Sequence, residues 1–185
     1  MKYFIAIALF FCFSNSYSQD SSVTSLDEAL KEMRFKPDAF TGNTLYFSKR
    51  TPENLNDVDR LLAYITKASN GNSKPYLRLM VSHVADQRQS TDFAVDKAII
   101  LIQGRPFTIK PTTAEIKTNG RHVWIDAHVK DGKIYEDIIK SIIASETKVT
   151  ARFYSSSSYI EFEVSKKEKK ALNDVLTTYY YLMAK

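Results

Sequence analysis

Val149-Thr-Ala-Arg-Phe-Tyr-Ser-Ser-Ser-Ser-Tyr-Ile-Glu-Phe-Glu-Val164 is the stretch on which the fold turns. Val149, Ala151 and Phe153 alternate with more polar neighbours, the period of a half-buried strand. The serines from Ser155 to Ser158 break the pattern, and Ile160, Phe162 and Val164 resume it. The stretch therefore doubles back as a hairpin. Arg152 and Tyr154 share the face opposite Phe153, which sets Arg152 to pair with Glu161 or Glu163 across the hairpin. The period then changes. Ser165 with Glu168 three residues later makes a capping box. Ala171, Leu172, Val175, Leu176, Tyr179 and Leu182 follow at one-face helical spacing. A hairpin running into an amphipathic helix predicts a mixed fold.

The same two periods extend outward in both directions. Phe93 to Ile102 is an apolar strand. Gln103-Gly104 turns it into Pro106 to Lys110, where Phe107 and Ile109 alternate. Val123, Ile125, Ala127 and Val129 form one face of another strand, which Asp131-Gly132 breaks. Ile134, Ile138, Ile139, Ile142 and Ile143 then recur at helical spacing. Nearer the start, Ser25-Leu-Asp-Glu28 is a second capping box, and Leu26, Ala29, Leu30 and Met33 make the stripe of a short helix that Pro37 stops. Leu45, Tyr46 and Phe47 suggest the first strand. Asp57 to Ala68 carries two patterns. Leu55, Val58, Leu61, Leu62 and Ile65 make a helical stripe, whereas the Asn70-Gly71 turn and the alternation from Tyr76 to Val81 favour a hairpin, with a strand over Arg60 to Ala68.

Many short strands with a few helices predict an α+β fold: an antiparallel β-sandwich with an N-terminal helix, one helix between strands and a C-terminal helix. Phe162, Val164 and the aliphatic face of Val123 to Val129 are expected in the core. No repeat or Pro/Gly-rich linker divides the chain. The expected organisation is a leader over 1–18, an N-terminal segment with a short helix over 19–40 and one sandwich domain over 41–185.

From about Phe93 onward the order of features resembles secreted bacterial β-sandwich modules of unknown function. The residues that carry the resemblance are Ile99-Ile-Leu-Ile-Gln-Gly-Arg-Pro-Phe107, Val149-Thr-Ala-Arg-Phe153, the hairpin return and a last helix rich in Leu and Tyr. They cover roughly half of the chain, residues 93–185. That family often has a glycine soon after its Arg-aromatic pair, where this chain has Tyr154-Ser155, so the hairpin turn differs. The resemblance implies a β-sandwich and no catalytic residues.

The start of the chain reads as an address. Lys2 precedes the apolar run Phe4 to Phe13, and Ser16-Tyr17-Ser18 places small residues at −3 and −1 before Gln19, the pattern of a cleaved secretory leader. The run falls short of the roughly 20 apolar residues that span a bilayer. Cleavage between Ser18 and Gln19 is expected, with export to the periplasm or the cell exterior and no stable membrane insertion afterwards. Cys12 is the only cysteine. Phe10 and Phe11 before it do not suit a lipobox, and its loss with the leader removes disulfides and thiol chemistry together. The composition, 44% apolar and 12% aromatic, is that of a folded domain. Loss of Lys2 lowers the formal charge of +5 by one. The cluster Lys166-Lys167-Glu168-Lys169-Lys170 contains an acid and no interleaved aromatics, so nucleic acid is not an expected partner.

Candidate chemistry lies in His122-Val-Trp-Ile-Asp-Ala-His128. On a strand, His122, Trp124, Asp126 and His128 share one face. Asp126 and His128 then stand about 7 Å apart, and His122 and His128 about 20 Å apart, too far to share an ion. No metal and no cofactor is expected. The Gly-x-Ser-x-Gly elbow, the His-Glu-x-x-His pair and a Gly-rich phosphate loop are all missing. An exposed Trp between His and Asp suits contact with a protein or a sugar ring. The expectation is an exported, non-enzymatic binding or accessory protein that contacts an envelope protein or polysaccharide. The alternative is a small exported hydrolase using the His122/Asp126/His128 row.

Overall fold

The computed structural model describes residues 23–38, 41–53, 60–68, 74–84, 97–109, 115–118, 122–127, 132–154 and 159–184, with backbone alone for 81–84, 115–118, 122–127 and 132. Within them the chain is α+β. Helix α1 spans Leu26–Lys31. Strands β1 (Met33–Asp38), β2 (Asn43–Ser48), β3 (Arg60–Ala68), β4 (Tyr76–Val84), β5 (Lys97–Ile102), β6 (Arg105–Ile109), β7 (Glu115–Thr118) and β8 (His122–Ala127) follow. Helix α2 (Gly132–Ala144), strands β9 (Val149–Tyr154) and β10 (Tyr159–Glu163) and helix α3 (Lys166–Met183) complete it. All pairings are antiparallel and form two sheets, β1-β2-β3-β4-β8-β7 and β10-β9-β5-β6.

The chain alternates between the sheets. After β4 it enters the four-stranded sheet as the β5–β6 hairpin, whose Gln103 and Gly104 both take positive φ (49° and 77°). Two successive positive φ values match the turn to the strand twist. It returns for β7 and β8, packs α2 against β4, then adds β9 to the free side of β5. Helix α3 lies on β3 and β2 and against α1 and α2. One apolar cluster joins these layers. It includes Leu61, Ile65, Leu77 and Leu79 from the first sheet, Ile100, Val149 and Phe153 from the second, and Ile139, Leu172 and Val175 from the helices.

Helix α3 is pinned by polar groups as well as by that cluster. Ser165 Oγ accepts from Glu168 N, and Glu168 in turn accepts from Ser165 N, the complete capping box. Glu168 Oε1 also accepts from Leu61 N at 3.2 Å. Lys169 Nζ donates to the Ser145 carbonyl at 2.7 Å, tying α3 to the α2–β9 connection.

Three features differ from the sequence expectation. Helix α1 ends at Lys31, before Pro37, which lies on β1, at the edge of the six-stranded sheet. A proline is tolerated there because, among the described residues, no strand pairs with the side it faces. In the Ser25–Glu28 capping motif only one half forms: Ser25 Oγ accepts from Glu28 N, while the Glu28 carboxylate turns to Thr24 N and Oγ1. In α2 the inward residue of the first turn is Tyr135, 5% exposed, and Ile134 faces solvent at 56%. The Asn70-Gly71 turn, the Ser155 to Ser158 loop, Val129, Phe93 and the proposed cleavage point lie outside the described residues.

Candidate functional site

The row singled out in the sequence falls on β8 as far as Asp126; His128 lies outside the described residues. Its register is definite. His122 stands opposite Val84, Trp124 between Ser82 and Lys117, and Asp126 between Met80 and Glu115. Residues directly opposite in an antiparallel pair share a face. The row therefore belongs to the face of the six-stranded sheet that carries Met80, Leu62 and Tyr64, away from the main core. At β3 and β4 that face is closed over, because Leu62, Tyr64 and Met80 are buried with Leu45 and Phe47 packed beside them. Phe47 and Tyr64 stack with ring centroids 5.1 Å apart.

Among the described residues an open face lies on the other sheet. Along β5 the residues alternate between exposed or half-buried and fully buried from Lys97 to Ile102, and along β10 exposed and half-buried residues alternate from Tyr159 to Glu163. Ala98, Ile100 and Ile102 turn to the core, leaving Lys97, Ile99 and Leu101 outward. Register aligns Lys97, Tyr154 and Tyr159 in one row, and Ile99, Arg152 and Glu161 in the next.

Cations and rings interleave on this face. Lys97 Nζ sits 4.9 Å from the centroid of the Tyr154 ring, and Arg152 Cζ 4.4 Å from that of Tyr159. The two rings are 5.9 Å apart. Arg152 Nη1 donates to Tyr154 Oη at 3.1 Å, and its Nε and Nη2 both donate to Glu161 Oε2. Of the two partners the sequence offers for Arg152, Glu161 is the one that pairs, and Glu163 pairs with Lys148 instead. Lys97 and Tyr159 were missed as members. Their signal was the register itself, which sets Tyr159 and Lys97 on either side of Tyr154, and the register follows only once strand order is known.

Two other polar groupings hold elements together. Lys140 Nζ donates to Glu136 Oε1 at 2.6 Å, and the Tyr180 hydroxyl donates to the same oxygen. Burial and that bond to Glu136 push the Tyr180 hydroxyl up to about 12. Burial works to raise the Glu136 carboxyl, but the bonds from Lys140 and Tyr180 outweigh it and leave it lowered. The group links α2 to α3. A shallow pocket of about 240 Å³ beside β1 is lined by Arg34, Phe35, Lys36, Phe47, Pro52 and Glu53. Among the described residues no three His, Cys, Asp or Glu side chains gather in a way that would hold a metal ion.

The chain matches no protein-family model, no curated protein and no solved structure in any of the three comparisons.

Proposed function

We propose that the mature chain is an exported, non-enzymatic binding protein of the periplasm or cell exterior. It engages an envelope polysaccharide on the outer face of β10-β9-β5-β6. The observation that carries this reading is the open, cation-and-ring face of that sheet. Tyr rings offer apolar area with a polar rim, which suits the flat faces of sugars. Arg152 is already held by Glu161 and Tyr154, so little side-chain freedom is lost when a ligand arrives. In the finer architecture the two sheets stack as a β-sandwich, a reading supported by the single apolar cluster that draws on both. Trp124 and Asp126 belong to a different sheet and contribute no direct contact in this reading.

The experiment is retention of the mature chain, residues 19–185, on polysaccharide purified from its native envelope. Tyr159 is 56% exposed, so Tyr159→Ala leaves the fold intact while removing the outermost ring. The expected result is retention of the wild type and about tenfold weaker retention of the variant. Equal retention of the two, or none of either, refutes the reading.

A further inference from the structure

Strand β1 closes one side of the six-stranded sheet, and among the described residues no strand pairs with its outer side. Which of its backbone groups point outward follows from chemistry. Pro37 has no N–H, so the Pro37–Thr44 pair is not one that exchanges both ladder bonds. Such pairs alternate along an antiparallel ladder. The carbonyl of Glu32 accepts from Lys49 N at 2.8 Å, and that of Asp38 from Gly42 N at 2.9 Å, so even-numbered residues face β2. The N–H and C=O of Phe35 and Met33 therefore point away from the sheet.

The side chains around this edge are unequal. Arg34 is committed. Its Nη2 donates to the Thr51 carbonyl at 2.8 Å and its Nη1 pairs with Glu53 at 3.2 Å. Lys36 is exposed and makes no ion pair among the described residues. It flanks the pocket of about 240 Å³, where Phe47 and Pro52 supply apolar surface. That volume is below the roughly 300 Å³ at which small-molecule pockets begin, and it suits one side chain. Phe35 is itself 53% exposed on the opposite face of the strand.

We infer that β1 is a docking edge for an extended peptide segment of another protein, carrying acidic residues on either side of an apolar one. The segment adds antiparallel to β1 and exchanges both backbone bonds with Phe35. Its apolar residue covers the Phe35 ring. One flanking acid lays its methylenes against Phe47 and Pro52 and presents its carboxylate to Lys36. Charge selects this occupant over a second copy of the chain. Two β1 strands paired about Phe35 place Arg34 of each opposite Lys36 of the other, and like charges directly opposite are destabilising. This edge is separate from the sheet face assigned above, and the proposal stands without it.

The test is titration of the ¹⁵N-labelled mature chain with three six-residue capped peptides. One has Glu-Ile-Glu at its centre, one Lys-Ile-Lys and one Gln-Ile-Gln. The expected result is that the acidic peptide shifts the amides of Met33 and Phe35 at submillimolar concentration and the basic one does not. Lys36→Glu weakens the acidic peptide at least about tenfold and admits the basic one. Phe35→Pro, which removes an outward N–H and leaves the β2 ladder untouched, abolishes binding of the acidic peptide. Absence of any shift with the acidic peptide, equal shifts with all three, or a concentration-dependent dimer that Phe35→Pro dissolves would each overturn the proposal. The last two outcomes assign the edge to unspecific pairing or to self-association.

Discussion

Asp174 sits where α1, β2 and α3 meet. Its Oδ2 accepts from Ser48 Oγ at 2.7 Å and from Arg50 Nε at 3.0 Å, and Arg50 reaches on to Glu32. Burial raises the Asp174 carboxyl above its ordinary value of 3.8, and the Ser48 bond and Arg50 charge offset this only in part. The sign follows. A carboxyl that holds its proton more tightly when folded contributes fully below 3.8, and that contribution is lost as pH rises through the raised folded value. Asp174→Asn keeps an acceptor for Ser48 and removes the titration. The stability difference, wild type minus variant, is expected to fall with rising pH across that window and to be level above it. Urea midpoints at stepped pH read it, and a difference independent of pH refutes the coupling. Phe153 is fully buried against Phe162, so Phe153→Ala is expected to cost about 3–5 kcal/mol by denaturant titration. Its place in the core was legible from alternation alone. The strand neighbours of the His122 to Asp126 row were not, because they depend on which strands lie beside β8.

At the scale of elements, the helices and most strands could be read from their periods. The β3 stretch was hard to read for a physical reason. Leu61, Ala63 and Ile65 join the main core while Leu62 and Tyr64 join the second cluster, so both faces are buried. A strand covered on both sides loses the alternation that marks a strand and resembles a buried helix. Strand β7, Glu115–Thr118, gave no apolar signal because it is a four-residue edge strand. The β5–β6 turn yields a clean test. Gly104 has φ of 77°, and a Cβ there would meet nothing within 4 Å. Gly104→Ala therefore costs backbone strain alone, about 1 kcal/mol, while Gln103→Asn, better suited to positive φ, gains about 0.5 kcal/mol. Thermal unfolding of the two variants checks both signs. Ser165→Ala removes the acceptor for Glu168 N and is expected to cost about 1 kcal/mol by the same measurement.

For the whole molecule, the shared cluster predicts that neither sheet melts alone. Leu79 in one sheet and Ile100 in the other are both 0% exposed and belong to the same cluster, as does Leu172 of α3. Leu79→Ala, Ile100→Ala and Leu172→Ala should each lower stability by about 2–5 kcal/mol. Each should leave one transition, with tyrosine fluorescence and far-ultraviolet dichroism coincident. Separate transitions for the two probes would show that the sheets are independent units. The residues alone were enough for the class of the fold, the hairpins at Gln103-Gly104 and Val149 to Val164, the capped last helix and most of the core. These depend on period, turn chemistry and caps, which act over a few residues of chain. Strand order, the split into two sheets, the face on which Trp124 stands and the openness of the β10-β9-β5-β6 surface belong to the tertiary structure. They depend on contacts between segments far apart in the chain, and local pattern carries no record of which segments meet.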